Sequence, residues 1–232
     1  MSLQNSIVEF DRIIKTLRGE NGCPWDREQT HTSLRPCVME EAAELQAAIR
    51  IYEQTQDAGN MKEELGDLLL QVVMQSAIAE EEGLFTLEEV IQGVQEKMIR
   101  RHPHVFGEAN VNNSGEVLKN WEEIKKKEKE TQTWSSSPLR DIPKELPSLT
   151  RAVKTLKKID KLYDNVSPIS KTKEEILKSA EKISICEGKE SELIFEAGNL
   201  LVALSKLAMQ MHLPTEQILN DRIDDMIDRY ES

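Results

Sequence analysis

The chain has 232 residues, with 30 Lys and Arg against 42 Asp and Glu and a formal net charge of −12. This balance argues against a duplex nucleic-acid partner, whose binding face displaces counterions with an excess of cations. The absence of any apolar run near the ~18–20 residues of a membrane span, of a signal-peptide pattern and of a C-x-x-C pair among three cysteines points to a cytoplasmic, reduced protein with no membrane partner.

Only 10 Gly, 8 Pro and ten aromatic residues punctuate a chain rich in Ala, Leu, Glu, Lys and Ile, which favours an all-α fold. Ile7, Phe10, Ile13, Ile14 and Leu17 recur at helical spacing and mark a first helix. Gly19 to Thr30, with Gly22, Pro24 and Trp25, reads as a loop. A second helix is expected over Ser33–Gln54, with Leu34, Val38, Leu45 and Ile49 inward. Gly59 and Asn60 mark a turn before a third helix, Met61–Glu82, carrying Leu65, Leu68, Leu69, Val72, Val73 and Ile78. Thr86 and Glu89 form a capping box that opens a fourth helix to Arg101, and Pro103 ends it. Ser114–Glu130 is expected to be a further helix. Thr131–Pro147, with three consecutive serines and three prolines, has a linker's composition. Helices then follow over Ser148–Leu162, Lys173–Ser184, Ser191–His212 and Glu216–Tyr230, with a second capping box at Thr172 and Glu175.

The second half repeats the first. Arg12–Arg18 aligns with Arg151–Lys157, Glu40-Glu41 with Glu174-Glu175, and Glu64-Leu65-Gly66-Asp67-Leu68-Leu69 with Glu196-Ala197-Gly198-Asn199-Leu200-Leu201. Met98, Ile99 and Arg101 align with Met226, Ile227 and Arg229. The offset between matched positions shortens from each of these words to the next, and only at predicted loops, as expected of a duplication with loop deletions. The chain is therefore divided into residues 1–130, a linker 131–147 and a second domain 148–232.

Half of the net charge lies in one place: eight acidic residues between Glu40 and Asp67 face only Arg50 and Lys62. Glu41 and Glu44 share one helix face, and so do Glu64 and Asp67. The short turn makes the two helices antiparallel neighbours. Both faces also carry apolar residues, so the acids sit toward the intended core, where clustered carboxylates are costly unless a cation neutralises them. An oxygen-only donor set suits Mg²⁺, with Mn²⁺ as a substitute, better than zinc. The competing reading is a solvated acidic face. Gly66 between the second pair would permit close helix approach.

These residues resemble the MazG family of all-α nucleoside triphosphate pyrophosphohydrolases, whose signature is E-E-x-x-E followed further on by E-x-x-D. Here it reads Glu40-Glu41-Ala42-Ala43-Glu44 and Glu64-Leu65-Gly66-Asp67. Flanking words also match: Gly22-Cys23-Pro24-Trp25-Asp26, Gln29-Thr30-His31, Ser33-Leu34, Gly66–Val73 and Arg100–Gly107. The likeness is strong over residues 5–130 and weaker over 140–230, following the family's two-repeat layout.

The resemblance implies two tandem helical-bundle repeats, homodimerisation, and Mg²⁺-dependent cleavage of an NTP or dNTP to nucleoside monophosphate and pyrophosphate. It implies Glu41, Glu44, Glu64 and Asp67 as metal ligands, and Glu40, or whichever carboxylate stays outside the ligand shell, as the base that orients water, with Glu41 also in the catalytic set. Lys97, Arg100 and Arg101 would hold the phosphates; the competing reading is cations at a helix carboxy-terminus, which the macrodipole favours. Trp25 and His31 are candidate substrate contacts, against loop packing for Trp25 and a cap or hydrogen bond for His31. Alternatives to a broad substrate range are a narrower dUTP or modified-nucleotide pyrophosphohydrolase, and a non-catalytic scaffold that binds nucleotide or protein.

Departures from the family pattern are Cys37, Ala43 and Ala47 around the first acidic motif, which bear on substrate fit. The second repeat departs further: Glu44 becomes Lys178, Asp67 becomes Asn199, Lys97 becomes Asp225 and Arg100 becomes Asp228. Loss of two ligands and reversal of two cations mark it as degenerate, with a structural or regulatory role.

Overall fold

Helices form every regular element among the residues that the computed structural model describes, 3–111, 113–130, 137–186 and 189–231. In chain order they are α1 Leu3–Arg18, α2 Pro24–Glu28, α3 Arg35–Thr55, α4 Gly59–Glu81, α5 Leu87–Arg101, α6 Pro103–Phe106, α7 Ser114–Glu130, α8 Ser148–Tyr163, α9 Ile169–Ile185, α10 Glu190–Gln210 and α11 Thr215–Glu231. None is long and apolar enough to cross a membrane. The chain divides into two compact units, Met1–Lys126 and Lys127–Ser232.

In the first unit α4 is the central helix, and α1, α3 and α5 all pack on it. Its two halves do different work. The carboxy-terminal half supplies Val73, Met74, Ala77 and Ile78 to a core completed by Ile14 of α1, Leu34 before α3 and Leu87 of α5. The amino-terminal half, Gly59 to Leu70, has no fully buried residue. Ile49, expected inward, is instead exposed, as are Leu65, Leu69 and Val72 of the apolar set on α4. α4 is apolar on two faces, and one chain covers only one of them. On α3 the fully buried residue is Ala48, whose small side chain permits close packing of helix on helix.

Local signals explain the helix boundaries. The predicted capping box at α5 is present: Glu89 N donates to Thr86 Oγ1 at 3.2 Å, and Thr86 N to Glu89 Oε2 at 2.8 Å. Gly83 ends α4 with φ +69°; Leu84 N bonds to Ala79 O at 2.9 Å and Gly83 N to Glu80 O at 3.0 Å, a Schellman closure that favours glycine. Two short helices lie where the sequence suggested only loop or helix end. Pro24 and Pro103 each start one, because proline's fixed φ suits a first turn.

The second unit repeats this arrangement, with α10 central and α8, α9 and α11 packed on it. The helix starts keep the sequence register. Ile169 opens α9 as far beyond the start of α3 as Glu175 lies beyond Glu41, and Thr215 opens α11 as far beyond the start of α5 as Arg229 lies beyond Arg101. The capping box expected at Thr172 is absent. α9 begins a turn earlier behind extended Pro168, which leaves Thr172 fully buried inside the helix with an unpaired hydroxyl. Part of the expected linker is ordered: Arg140 N and Asp141 N donate to Ser137 O at 3.0 and 3.1 Å, and Ile142 is buried. Residues 131–136 of that linker lie outside the described residues.

At Gly22 a Cβ would lie 2.1 Å from Leu17 O, against backbone already engaged by Cys23 N at 2.8 Å. A Cβ at Gly93 on α5 would meet nothing within 4 Å. Gly22→Ala is therefore expected to lower stability by about 2 kcal/mol or more, in the range of backbone strain. Gly93→Ala should raise it by about 0.5–1 kcal/mol through helix propensity. Urea denaturation of the two variants checks both signs.

Candidate metal centre

The α3–α4 turn contains Asp57, whose Oδ1 accepts from Gly59 N at 2.8 Å, so α4 leaves directly antiparallel to α3. That pairing faces the E-x-x-E turn of α3 toward the E-x-x-D turn of α4. Glu41, Glu64 and Asp67, all half-buried, offer carboxylate oxygens that lie within 4.8 Å of one another. Glu40 and Glu44 are exposed and stand outside that group.

The electrostatics are those of carboxylates gathered without a partner. Burial pushes the Glu41 carboxyl above its ordinary value of 4.5, and Asp67 and Glu44 push it further. Glu64 is raised in the same direction, by burial first and then by Glu44 and Asp67. Glu64 Oε2 is buried without a hydrogen-bond partner. Gln71, one turn beyond Asp67, reaches Glu41 Oε1 at a long 3.5 Å, and its own Oε1 is also buried and unpartnered. An orphaned carboxylate oxygen inside an all-oxygen triad fits a hard divalent cation. Gln71 is a site residue that the sequence reading missed; the available signal was its i+4 position from Asp67. Gly66 does not serve close approach, because a Cβ there would meet nothing within 4 Å.

The remaining candidates are dispersed. Lys97 and Arg101 are half-buried on α5, whereas Arg100 is exposed. The Arg101 guanidinium lies 5.1 Å from the Trp121 ring centroid, and Lys125 Nζ is 4.7 Å from it on α7. Both separations are within cation–π range. Trp25 is 60% exposed on α2. His31 is held through Nδ1 by Gln75 Oε1 and approaches Glu82 at 3.7 Å through Nε2. Gln75 lies two turns beyond Asp67 on α4, so His31 is anchored about 12 Å up the helix from the triad.

Arg18 was also missed. Its buried side chain donates to Asp26 O at 2.6 Å and Gln29 O at 3.2 Å, and pairs with Glu81 at 2.7 Å, fixing the Trp25 loop to the end of α4. Two loop carbonyls and one distant carboxylate obey no spacing rule that a sequence displays.

A family model of the MazG nucleotide pyrophosphohydrolase domain matches residues 29–106, which include the acidic triad and the α5 cations. The chain is 37% identical over 227 residues to a nucleoside triphosphate pyrophosphohydrolase of Escherichia coli, covering 91% of this chain and 80% of that protein. It is 38% identical over 230 residues to the Thermotoga maritima protein named nucleoside triphosphate pyrophosphohydrolase/pyrophosphatase MazG, covering 96% and 83%. It is also 50% identical over 155 residues to YabN of Bacillus subtilis, although the match spans only 30% of that longer protein.

Protons and a cation compete for the same raised carboxylates, Glu41 and Glu64. Because their folded values lie above 4.5, their repulsion destabilises the metal-free chain at neutral pH and fades as the pH falls toward that range. A divalent cation held by the triad should therefore raise the melting temperature most near pH 8 and progressively less toward pH 5. Thermal melts with and without Mg²⁺ at matched ionic strength measure this difference.

Proposed function

The chain belongs to the MazG family of nucleotide pyrophosphohydrolases, and from that membership we propose that it hydrolyses nucleoside triphosphates, dNTPs included, to nucleoside monophosphate and pyrophosphate with Mg²⁺ as the preferred ion. The observation that carries the reading is the convergence of Glu41, Glu64 and Asp67 around an unpartnered buried oxygen. Membership makes the chain a hydrolase acting on phosphoric anhydrides.

When bound, a divalent cation would offset phosphate charge and acidify water. The chain's own contribution is binding and orientation. Glu41, Glu64 and Asp67, with Glu44 at the margin, form the acidic floor. Glu40, exposed on α3 beside Glu41 in sequence, is assigned as the base that accepts a proton from water attacking the α-phosphorus. The bond from that phosphorus to the bridging oxygen breaks, and pyrophosphate leaves. Lys97, Arg100 and Arg101 are assigned to the leaving phosphates. Trp25, exposed on its anchored loop, and His31 remain candidates for nucleoside contact.

Homodimerisation is part of the proposal. Leu65, Leu69 and Val72 on α4, and Val94, Met98 and Ile99 on α5, are exposed in the single chain, and covering them removes apolar surface from water. A cytoplasmic setting, and partners limited to nucleotides and a second copy, complete the reading.

The test is a panel of NTPs and dNTPs, including dUTP, with products resolved as monophosphate, diphosphate, phosphate and pyrophosphate. Monophosphate plus pyrophosphate is expected; diphosphate plus phosphate overturns α–β cleavage. Glu64→Gln and Asp67→Asn should each lower kcat/KM by more than about 100-fold, since even changes behind a metal's ligands cost 10–100-fold. Retained activity in both variants would move the metal elsewhere.

A further inference from the structure

The second unit carries the remains of the same acidic site, but its surviving carboxylates have amino partners. In the repeat register Glu196 and Asn199 take the places of Glu64 and Asp67, and Lys206 takes that of Met74. Glu175, Lys178 and Lys182 likewise take the places of Glu41, Glu44 and Ala48. The helices keep this register, because the starts of α3 and α9, Arg35 and Ile169, are as far apart as Glu41 and Glu175.

Around Glu196 the donors are arranged as a small shell. The Lys182 ammonium donates to Oε1, and Asn199 Nδ2 donates to Oε2 at 3.3 Å. Glu196 is only 7% exposed, so a buried carboxylate here would be costly without them. Lys206 Nζ meets Glu175 Oε2 at 3.5 Å, and the lysine side chain is 12% exposed. Burial and neighbouring acids raise Glu64, whereas the Lys182 hydrogen bond holds Glu196 below its ordinary value. In formal charge, Glu41, Glu44, Ala48, Glu64, Asp67 and Met74 carry −4, and their six counterparts carry +1.

Closure does not explain the difference. Lys182 and Glu196 line an open cavity of about 590 Å³ at the ends of α9 and α10, which also includes Phe195 and Lys189. The cavity is open, and both Glu196 oxygens already accept hydrogen bonds.

We propose that Lys182 is a tethered replacement for the divalent cation in the second unit, its ammonium neutralising Glu196 while Lys206 neutralises Glu175, so that this unit holds its α9–α10 pairing without metal. The proposal rests on the metal reading of the first unit, and goes beyond it by assigning the lysines that made the second unit metal-independent.

The test is Mn²⁺ titration of the full chain, followed by electron paramagnetic resonance of the free ion. Glu64→Gln should lower the number of ions bound, and Glu196→Gln should leave it unchanged. The variant Lys178→Glu/Lys182→Ala/Asn199→Asp/Lys206→Met restores the first unit's residue types, and it should bind at least one more ion per chain than the native protein. Loss of Mn²⁺ in Glu196→Gln, or a folded fourfold variant that binds no more than native, overturns the proposal. Should that variant fail to fold, Lys182→Ala decides in EDTA. Amide exchange in α9 and α10 is then expected to accelerate by about tenfold or more, since an orphaned buried carboxylate weakens the pairing. Unchanged exchange there refutes the tethered-cation role. A native chain that binds no Mn²⁺ overturns the first-unit reading and the replacement role with it, whereas Mn²⁺ binding by the native chain together with unchanged exchange in Lys182→Ala overturns the replacement role alone.

Discussion

The constraint on which the rest depends is that carboxylates brought together on an antiparallel helix pair must be neutralised. α3 and α4 hold Glu41, Glu64 and Asp67 within 4.8 Å of one another, and the charged groups that shift Glu41 and Glu64 are other carboxylates. Water supplies part of the screening, since the group is half-buried and not sealed. The rest is left as repulsion, visible as raised Glu41 and Glu64 and as an unpartnered Glu64 oxygen. Such a cost persists only where the surrounding structure is strong enough to carry it.

α4 shows how the fold carries it. Its carboxy-terminal half is buried in the core with Ile14, Leu34 and Leu87, and this anchors the helix as a rigid rod. Its amino-terminal half is then free to display acids without having to fill a core as well. The two functions are separated along one helix by about three turns, the distance between Asp67 and Ala77. The same division explains why the exposed apolar residues Leu65 and Leu69 sit beside the acids. The half of α4 that does not build the intrachain core is the half left with apolar surface to cover.

The sequence made the local elements legible wherever the signal was a short-range rule. The Thr86–Glu89 box and the acidic spacing depend on neighbours within one turn, and both appear in the structure, whereas Gly59 and Asn60, read as a turn, are the first residues of α4 behind the Asp57 turn. Long-range geometry was harder to read. Periodicity identified Ile49, Leu65 and Val72 as apolar, but it does not say whether a helix face meets the same chain or remains exposed. Thr172 and Glu175 matched a capping pattern, yet Pro168 set the helix start one turn earlier. Arg18 reaches Asp26, Gln29 and Glu81, and Gln71 reaches Glu41 on another helix, contacts to which no spacing rule applies.

On the proposed reading of the second unit as a degenerate copy, losing such a site is itself constrained. Replacing Asp67 and Glu44 by Asn199 and Lys178 would, on its own, leave the buried counterpart of Glu64 without a cation. A helix pair in that state is worse off than one with its metal or one with no acid at all. The lysines at the Ala48 and Met74 positions resolve it: each sits on the helix opposite its carboxylate, Lys182 on α9 facing Glu196 on α10, and Lys206 on α10 facing Glu175 on α9. The ion pairs thus run across the α9–α10 seam, where a shared cation would otherwise bridge it. On that reading the decay of the second repeat required coupled changes, because the shared helix-pair geometry fixes where neutralising charge must be supplied.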